Sequence, residues 1–178
     1  SGVDPASSLA SHADFFAITT IGIDNDNNKY ILDCFRKRIS PAEQPDKIIE
    51  TFKKFRPRRM KIETVGYQEA LRTATKELML KNDLYIPGLE KGVKPRNRKS
   101  ERLLSLVPMF AKSQFFFRPE DMIPQQEFLS YPKGKHDDVM DSIWTALVGA
   151  KPCRKKSFDP EKKKNEGFTK KILDWMIQ

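Results

Sequence analysis

The spacing of apolar residues changes once along this chain, and that change limits the architectures open to it. Up to residue 38 the apolar and β-branched residues fall in strand-like runs. From Ser40 onward, helical spacing alternates with short strand-like runs. Val3-Asp4-Pro5 reads as the end of a first, very short strand, followed by a polar loop over 6–13. The run at 14–23 (DFFAITTIGI) is β-branched and aromatic and predicts a second strand. The run at 30–38 (YILDCFRKR) predicts a third. Between them DNDNNK is dense in turn formers, so the two strands form a hairpin.

Ser40-Pro41-Ala42-Glu43 carries the marks of a helix start: a capping side chain, a first-turn proline and a glutamate three residues after the cap. Ile48, Ile49, Phe52 and Phe55 follow at helical spacing, and Arg56-Pro57 ends the run. Residues 59–64 predict a short strand, 67–81 an amphipathic helix, and 84–86 another short strand ending at Pro87. A basic loop over 88–99 leads to a helix over 100–111, bent or ended by Pro108. A strand at 114–117, a helical turn at 124–129, a loop at 131–135 and a final helix over 136–150 complete the order. A meander followed by alternating strands and helices predicts an α/β domain with a mixed central sheet flanked by helices on both faces. That domain is expected over 1–150. Residues 151–178 are expected to form a basic linker and a C-terminal amphipathic helix striped by Phe168, Ile172, Trp175 and Met176.

No apolar run approaches the ~20 residues that span a bilayer, so no membrane association is expected. The two cysteines, Cys34 and Cys153, lie outside any CxxC pattern, which disfavours a disulfide framework or a zinc finger. Lys and Arg number 33 against 24 Asp and Glu, a net charge of +9. Such an excess suits a polyanion, because every neutralised phosphate releases counterions. The basic residues come from several segments rather than one tail. Lys94, Arg96, Arg98, Lys99, Arg102, Lys133 and Lys135 are the candidate DNA-binding set; a solvated basic surface is the plainer alternative.

Three acidic positions raise a chemical question. Asp4 ends the first strand, Glu63 ends the strand after the first helix, and His136-Asp137-Asp138 opens the last helix with Asp141 one turn on. If the first and fourth strands are neighbours, these acids meet at one edge. Carboxylates suit hard cations such as Mg²⁺ and Mn²⁺, and two cations held ~4 Å apart can clamp both the attacking and leaving oxygens of a phosphodiester. Each acid also has an ordinary role. Asp4-Pro5 is a common loop opening, Glu63 can be a solvated strand end, and Asp137 and Asp138 favour a helix N-terminus. Asp138 and Asp141 share a helix face, where like charges cost stability unless a cation sits nearby. His136 is a ligand, a general base or a satisfied surface imidazole.

These segments resemble a known family. Gly2-Val3-Asp4-Pro5-Ala6, Asp14 to Ile18, Lys61-Ile62-Glu63, Lys99-Ser100-Glu101-Arg102, Phe128 to Tyr131 and Gly134 to Ser142 look like the nuclease domain of phage large terminase subunits, from residue 2 to about residue 148. The resemblance implies a ribonuclease H-like fold and two-metal cleavage of double-stranded DNA during viral genome packaging, with two Mg²⁺ or Mn²⁺ ions. It implies Asp4 and Glu63 as catalytic metal ligands; the third is Asp138 by one pattern within the family and Asp141 by another, with Asp138 favoured, Asp141 as a further ligand and Asp137 as a neighbour. It also implies a packaging ATPase, a portal and a small terminase as partners, in the host cytoplasm. Large terminases carry an N-terminal ATPase, and this chain has no GxxxxGK[ST] loop. The expectation is therefore a nuclease domain separate from its motor, monomeric in isolation. Two alternatives stand beside it: another ribonuclease H-like nuclease, such as a junction resolvase or hybrid nuclease, and a basic DNA-binding module that does not cut.

Overall fold

The shortest of the three inner strands of the sheet lies second from one edge. In a computed structural model, which describes residues 1–7, 14–63, 68–94 and 97–150, β1 (Gly2–Asp4) lies between β2 (Phe16–Ile23) and β4 (Lys61–Ile62). It pairs antiparallel with β2, setting Asp4 opposite Ala17, and parallel with β4, setting Val3 opposite Ile62. β3 (Lys29–Lys37) continues the meander beyond β2, and β5 (Phe115–Phe116) adds a parallel edge, giving the order β4-β1-β2-β3-β5. The predicted adjacency of first and fourth strands holds.

The helices are α1 (Gln44–Phe55), α2 (Gln68–Lys81), α3 (Lys99–Leu104), α4 (Val107–Ala111), α5 (Met122–Ser130) and α6 (Asp138–Leu147). Side chains alternate across a strand, so each sheet face builds its own core. On one face Val3, Phe16 and Ile18 pack with Ile48, Ile49 and Phe52 of α1 and Leu71 and Met79 of α2. On the other, Ala17, Ile31 and Phe115 pack with Val139, Met140 and Ile143 of α6 and with Leu103 and Leu106. The α/β sandwich with helices on both faces is as the sequence predicts.

Four local features differ. α1 begins at Gln44 rather than at Ser40, with Glu43 in the N-cap position and its carboxylate accepting from the Ser40 N–H and hydroxyl. Residues 84–86 form no strand. Pro87 accepts a hydrogen bond from Met60 N at 2.8 Å, and the chain turns through Gly88 (φ +93). Ile86 and Leu89 are buried as core plugs, and the edge contact beside Glu63 is made by Val93 instead. The helix expected over 100–111 is two helices broken at 105–106. Pro108 lies in the first turn of α4, where its missing N–H costs nothing. The final helix begins at Asp138, with Asp137 (φ −143, ψ 15) in the N-cap position. His12, Arg96 and the expected linker and helix of 151–178 lie outside the described residues. Among the described residues no helix is long and apolar enough to cross a membrane.

α6 lies so close to β1 that only glycine fits at residue 2. A Cβ there would stand 2.1 Å from Ser142 O and 2.3 Å from Ala146 N, both backbone atoms of α6. Gly2→Ala should therefore push α6 off the sheet and lower stability by roughly 1–3 kcal/mol, the usual cost of overpacking. Urea denaturation of the two proteins measures this.

Candidate active site

The acids of interest come from three elements that the β1–β4 pairing and the α6–β1 contact bring together. Asp4 ends β1. Glu63 follows β4 and donates its backbone N–H to Val3 O at 3.4 Å, fixing it beside Asp4. Asp138 and Asp141 lie in the first turn of α6 and are 2% and 3% exposed. Burial, and then the charges of Asp141, Glu63 and Asp138, raise the Asp4 pKa well above the ordinary carboxylate range. Asp138 is raised to about 6 by burial and by Asp14, and Asp141 is raised by burial. The four predicted carboxylates thus share one electrostatic site.

Two basic side chains of α3 stand among them. Arg102 Nη1 lies 2.8 Å from Glu63 Oε2 and Nη2 lies 3.7 Å from Asp141 Oδ1, while its guanidinium rests over the Trp144 ring. Lys99 Nζ lies 2.6 Å from Asp141 Oδ2 and 2.8 Å from Asp137 Oδ1. Burial works against the Lys99 charge, yet Asp141 and Asp137 hold its pKa above the ordinary lysine range. Lys99 and Arg102, read from the sequence as DNA-binding, make these contacts inward, to the acids. Lys99 remains 47% exposed, whereas Arg102 is buried. Lys94, Arg98, Lys133 and Lys135 are exposed on the segments leading into α3 and α6.

Asp138 is held from a second side. Phe15 N–H donates to its Oδ1 at 3.0 Å, and Arg36 Nε and His136 Nδ1 lie 3.9 and 3.7 Å from Oδ2. The His136 ring meets the edge of Phe15. Burial, then Arg36, lowers its pKa, which favours the uncharged imidazole. Glu127 of α5, which carries no obvious signal in the sequence, is buried beside these groups. It accepts the Val139 and Met140 N–H bonds and pairs with Arg36. Arg36 was legible in principle: strand alternation puts it on the α6 side with Cys34.

The donors fit a hard divalent cation. The grouped acids offer oxygen alone, and Asp138 Oδ2 and Asp141 Oδ1 are buried with no hydrogen-bond partner among the described residues. Among the described residues no three acidic, histidine or cysteine side chains already enclose one point as a metal site. The positive charge between the carboxylates is that of Lys99 and Arg102.

This mixed sheet, with helices on both faces and one helix packed on the strand that bears the first acid, is the ribonuclease H-like fold. The chain belongs to the terminase RNaseH-like domain family, whose profile matches residues 1–149. The crystal structure of the yeast mitochondrial Holliday junction resolvase has the same fold, with a TM-score of 0.53 at 15% identity over 82% of this chain and 75% of that one. A fowlpox virus resolvase, solved with Holliday junction DNA, gives a TM-score of 0.49 at 14% identity over 83% and 95% of the two chains. No curated protein sequence matches the chain.

The raised pKa values set a pH dependence. A carboxyl whose folded pKa exceeds its unfolded value binds more protons when folded, so its stabilising share is present in acid and lost as pH rises through the folded pKa. For Asp138 and Glu127, raised to about 6 and about 7, the loss runs from about pH 4 to pH 7. With EDTA present, Asp138→Asn should gain on the order of 1–3 kcal/mol over the native protein at pH 8 and little at pH 4. Urea midpoints at the two pH values check this.

Proposed function

We propose that this domain is the endonuclease of a viral DNA-packaging terminase, and that it cuts double-stranded DNA by two-metal-ion hydrolysis of a phosphodiester. The observation that carries the reading is the meeting of Asp4, Glu63, Asp138 and Asp141 at one sheet edge in a chain of the terminase RNaseH-like family. Asp4, Glu63 and Asp138 would hold the two Mg²⁺ or Mn²⁺ ions, with Asp141 as a further ligand and Asp137 beside it. Bound there, the cations would activate the attacking water and stabilise the leaving 3′-oxygen.

The protein's own residues prepare the site in two ways. Lys99 and Arg102 balance only part of the charge of the four carboxylates, which leaves a surplus that attracts divalent cations. Lys99, half-exposed, is also the cation best able to turn outward to a phosphate. Lys94 and Arg98, exposed on the segment before α3, and Lys133 and Lys135, exposed on the segment before α6, would contact the DNA backbone, with Arg96 in the same basic segment of the sequence. Phosphate contacts of this kind position a duplex without reading its sequence, so cleavage should show little base preference. In packaging, the domain would act with the terminase ATPase, the portal and the small terminase in the host cytoplasm.

The test is cleavage of supercoiled plasmid, linear duplex and a four-way junction in Mn²⁺, Mg²⁺ or EDTA. Metal-dependent nicking and linearisation of plasmid are expected, falling by roughly 100-fold or more in Asp4→Asn and Asp138→Asn, since the metals supply several kcal/mol of transition-state stabilisation. Strong preference for the junction would assign the domain to resolution instead. Binding to duplex without cleavage in any metal would make it a clamp.

A further inference from the structure

The N-terminus of α6 has no cap of its own. Asp137 occupies the N-cap position without a side-chain hydrogen bond, so the first-turn amides need a partner from elsewhere. Glu127 Oε2 supplies it, accepting from Val139 N at 2.9 Å and Met140 N at 3.1 Å. The residue is only 4% exposed, although it sits on a short helix with little other burial. Its second oxygen, Oε1, lies 3.1 Å from Arg36 Nη1. The same guanidinium presents Nε to Asp138 Oδ2 at 3.9 Å and lies over the ring of Phe15 at 4.1 Å. Phe15 closes the circuit through its backbone N–H, which donates to Asp138 Oδ1.

We propose that Glu127 and Arg36 are positioning residues for the nuclease site. Glu127 caps α6 from α5 and fixes the backbone that carries Asp138 and Asp141. Arg36 pairs with the Glu127 carboxylate and stands 3.9 Å from Asp138 Oδ2, beyond hydrogen-bonding reach, so it offsets the Asp138 charge while leaving that oxygen open. Neither is a catalytic residue; both act through Asp138. The geometry leaves Asp138 one oxygen held by Phe15 and the other, Oδ2, without a hydrogen-bond donor, which suits a carboxylate kept ready for a cation. Partners one step behind metal ligands change metal affinity or activity by roughly 10–100-fold when removed. The inference rests on the nuclease reading for its consequence, but not for the cap itself.

The experiment compares the native domain with Glu127→Met, which keeps the side-chain length and removes both acceptor oxygens, and with Ile48→Val, a small core deletion on the opposite face of the sheet. Mn²⁺ alone is titrated by calorimetry, plasmid cleavage is resolved into KM and kcat, and amide exchange at Val139 and Met140 is followed in EDTA. In Glu127→Met the expected results are roughly 10–100-fold weaker Mn²⁺ binding, a matching fall in kcat with KM unchanged, and at least 10-fold faster exchange at both amides. Ile48→Val should match the native protein in all three. Native-like Mn²⁺ affinity in Glu127→Met overturns the positioning role, as does an equal loss in Ile48→Val, which would mean general loosening. If the native domain binds no Mn²⁺ and cuts nothing, the nuclease reading fails. The exchange rates then still decide the cap: faster exchange in Glu127→Met upholds it, and unchanged exchange overturns it.

Discussion

The close approach of α6 to β1 governs the geometry of the acid edge. Residue 2 has no side chain, and the space where one would stand is filled by the backbone of α6 at Ser142 and Ala146. One strand over, the Thr19 hydroxyl meets Ser142 Oγ at 2.6 Å, a buried hydrogen bond that fixes the helix along the sheet. With the helix this close, the residue two places after Gly2 on the same strand face must point at the first turn of α6. That residue is Asp4. The distance between the carboxylates is therefore set by packing between backbones, which is less compliant than packing between side chains.

Gathering acids in this way is expensive without compensation. Asp4, Asp138 and Asp141 all have raised pKa values, with burial as the first cause in each. Burying a charge is tolerable only when it is paired and hydrogen-bonded. The fold meets that demand with Lys99 and Arg102 from one side and Arg36 from the other, and with the positive end of α6 itself, where Asp138 and Asp141 occupy the first turn. The compensation is incomplete: buried oxygens of Asp138 and Asp141, and Nε of Arg36 and Arg102, have no hydrogen-bond partner among the described residues. Unsatisfied groups of this kind are rare in ordinary cores and concentrate where a site binds something else.

Much of this was readable from the residues, for a definable reason. The meander, the parallel return of β4 beside β1 and the helices on both faces follow from spacing and turn residues, which are local signals. Asp4, Glu63, Asp138 and Asp141 were visible because each stands at the end of an element, and the element order alone brings those ends together. Sequence and structure part where an apolar run serves packing rather than pairing. Ile86 has strand chemistry, but the turn through Gly88 leaves it a plug in the core. The partners of the basic residues lie beyond local signals. Lys99 and Arg102 look like phosphate ligands in a basic segment, and only the folded chain reveals that acids 38 to 42 residues away in sequence, at 63, 137 and 141, face them. Glu127 was silent because its partners are backbone amides, which leave no mark on the sequence.

The two faces of the sheet divide the work. The α1–α2 face has the larger apolar core, with Phe16, Ile18, Ile48 and Ile62 fully buried, and its helices also bury Gln44, Thr51 and Thr75. The α6 face mixes a smaller apolar core with Thr19, Ser142, Glu127, Arg36 and the acid set. A protein whose net stability is small cannot hold a strained polar cluster unless apolar burial elsewhere exceeds its cost. Here that burial lies directly across the sheet, through β1 and β2, whose alternate residues belong to opposite faces. Val3 anchors β1 in the apolar core while its neighbours Gly2 and Asp4 face α6. The strand that carries the first acid is thus fixed by the side chain between the two positions that shape the site, and a three-residue strand suffices.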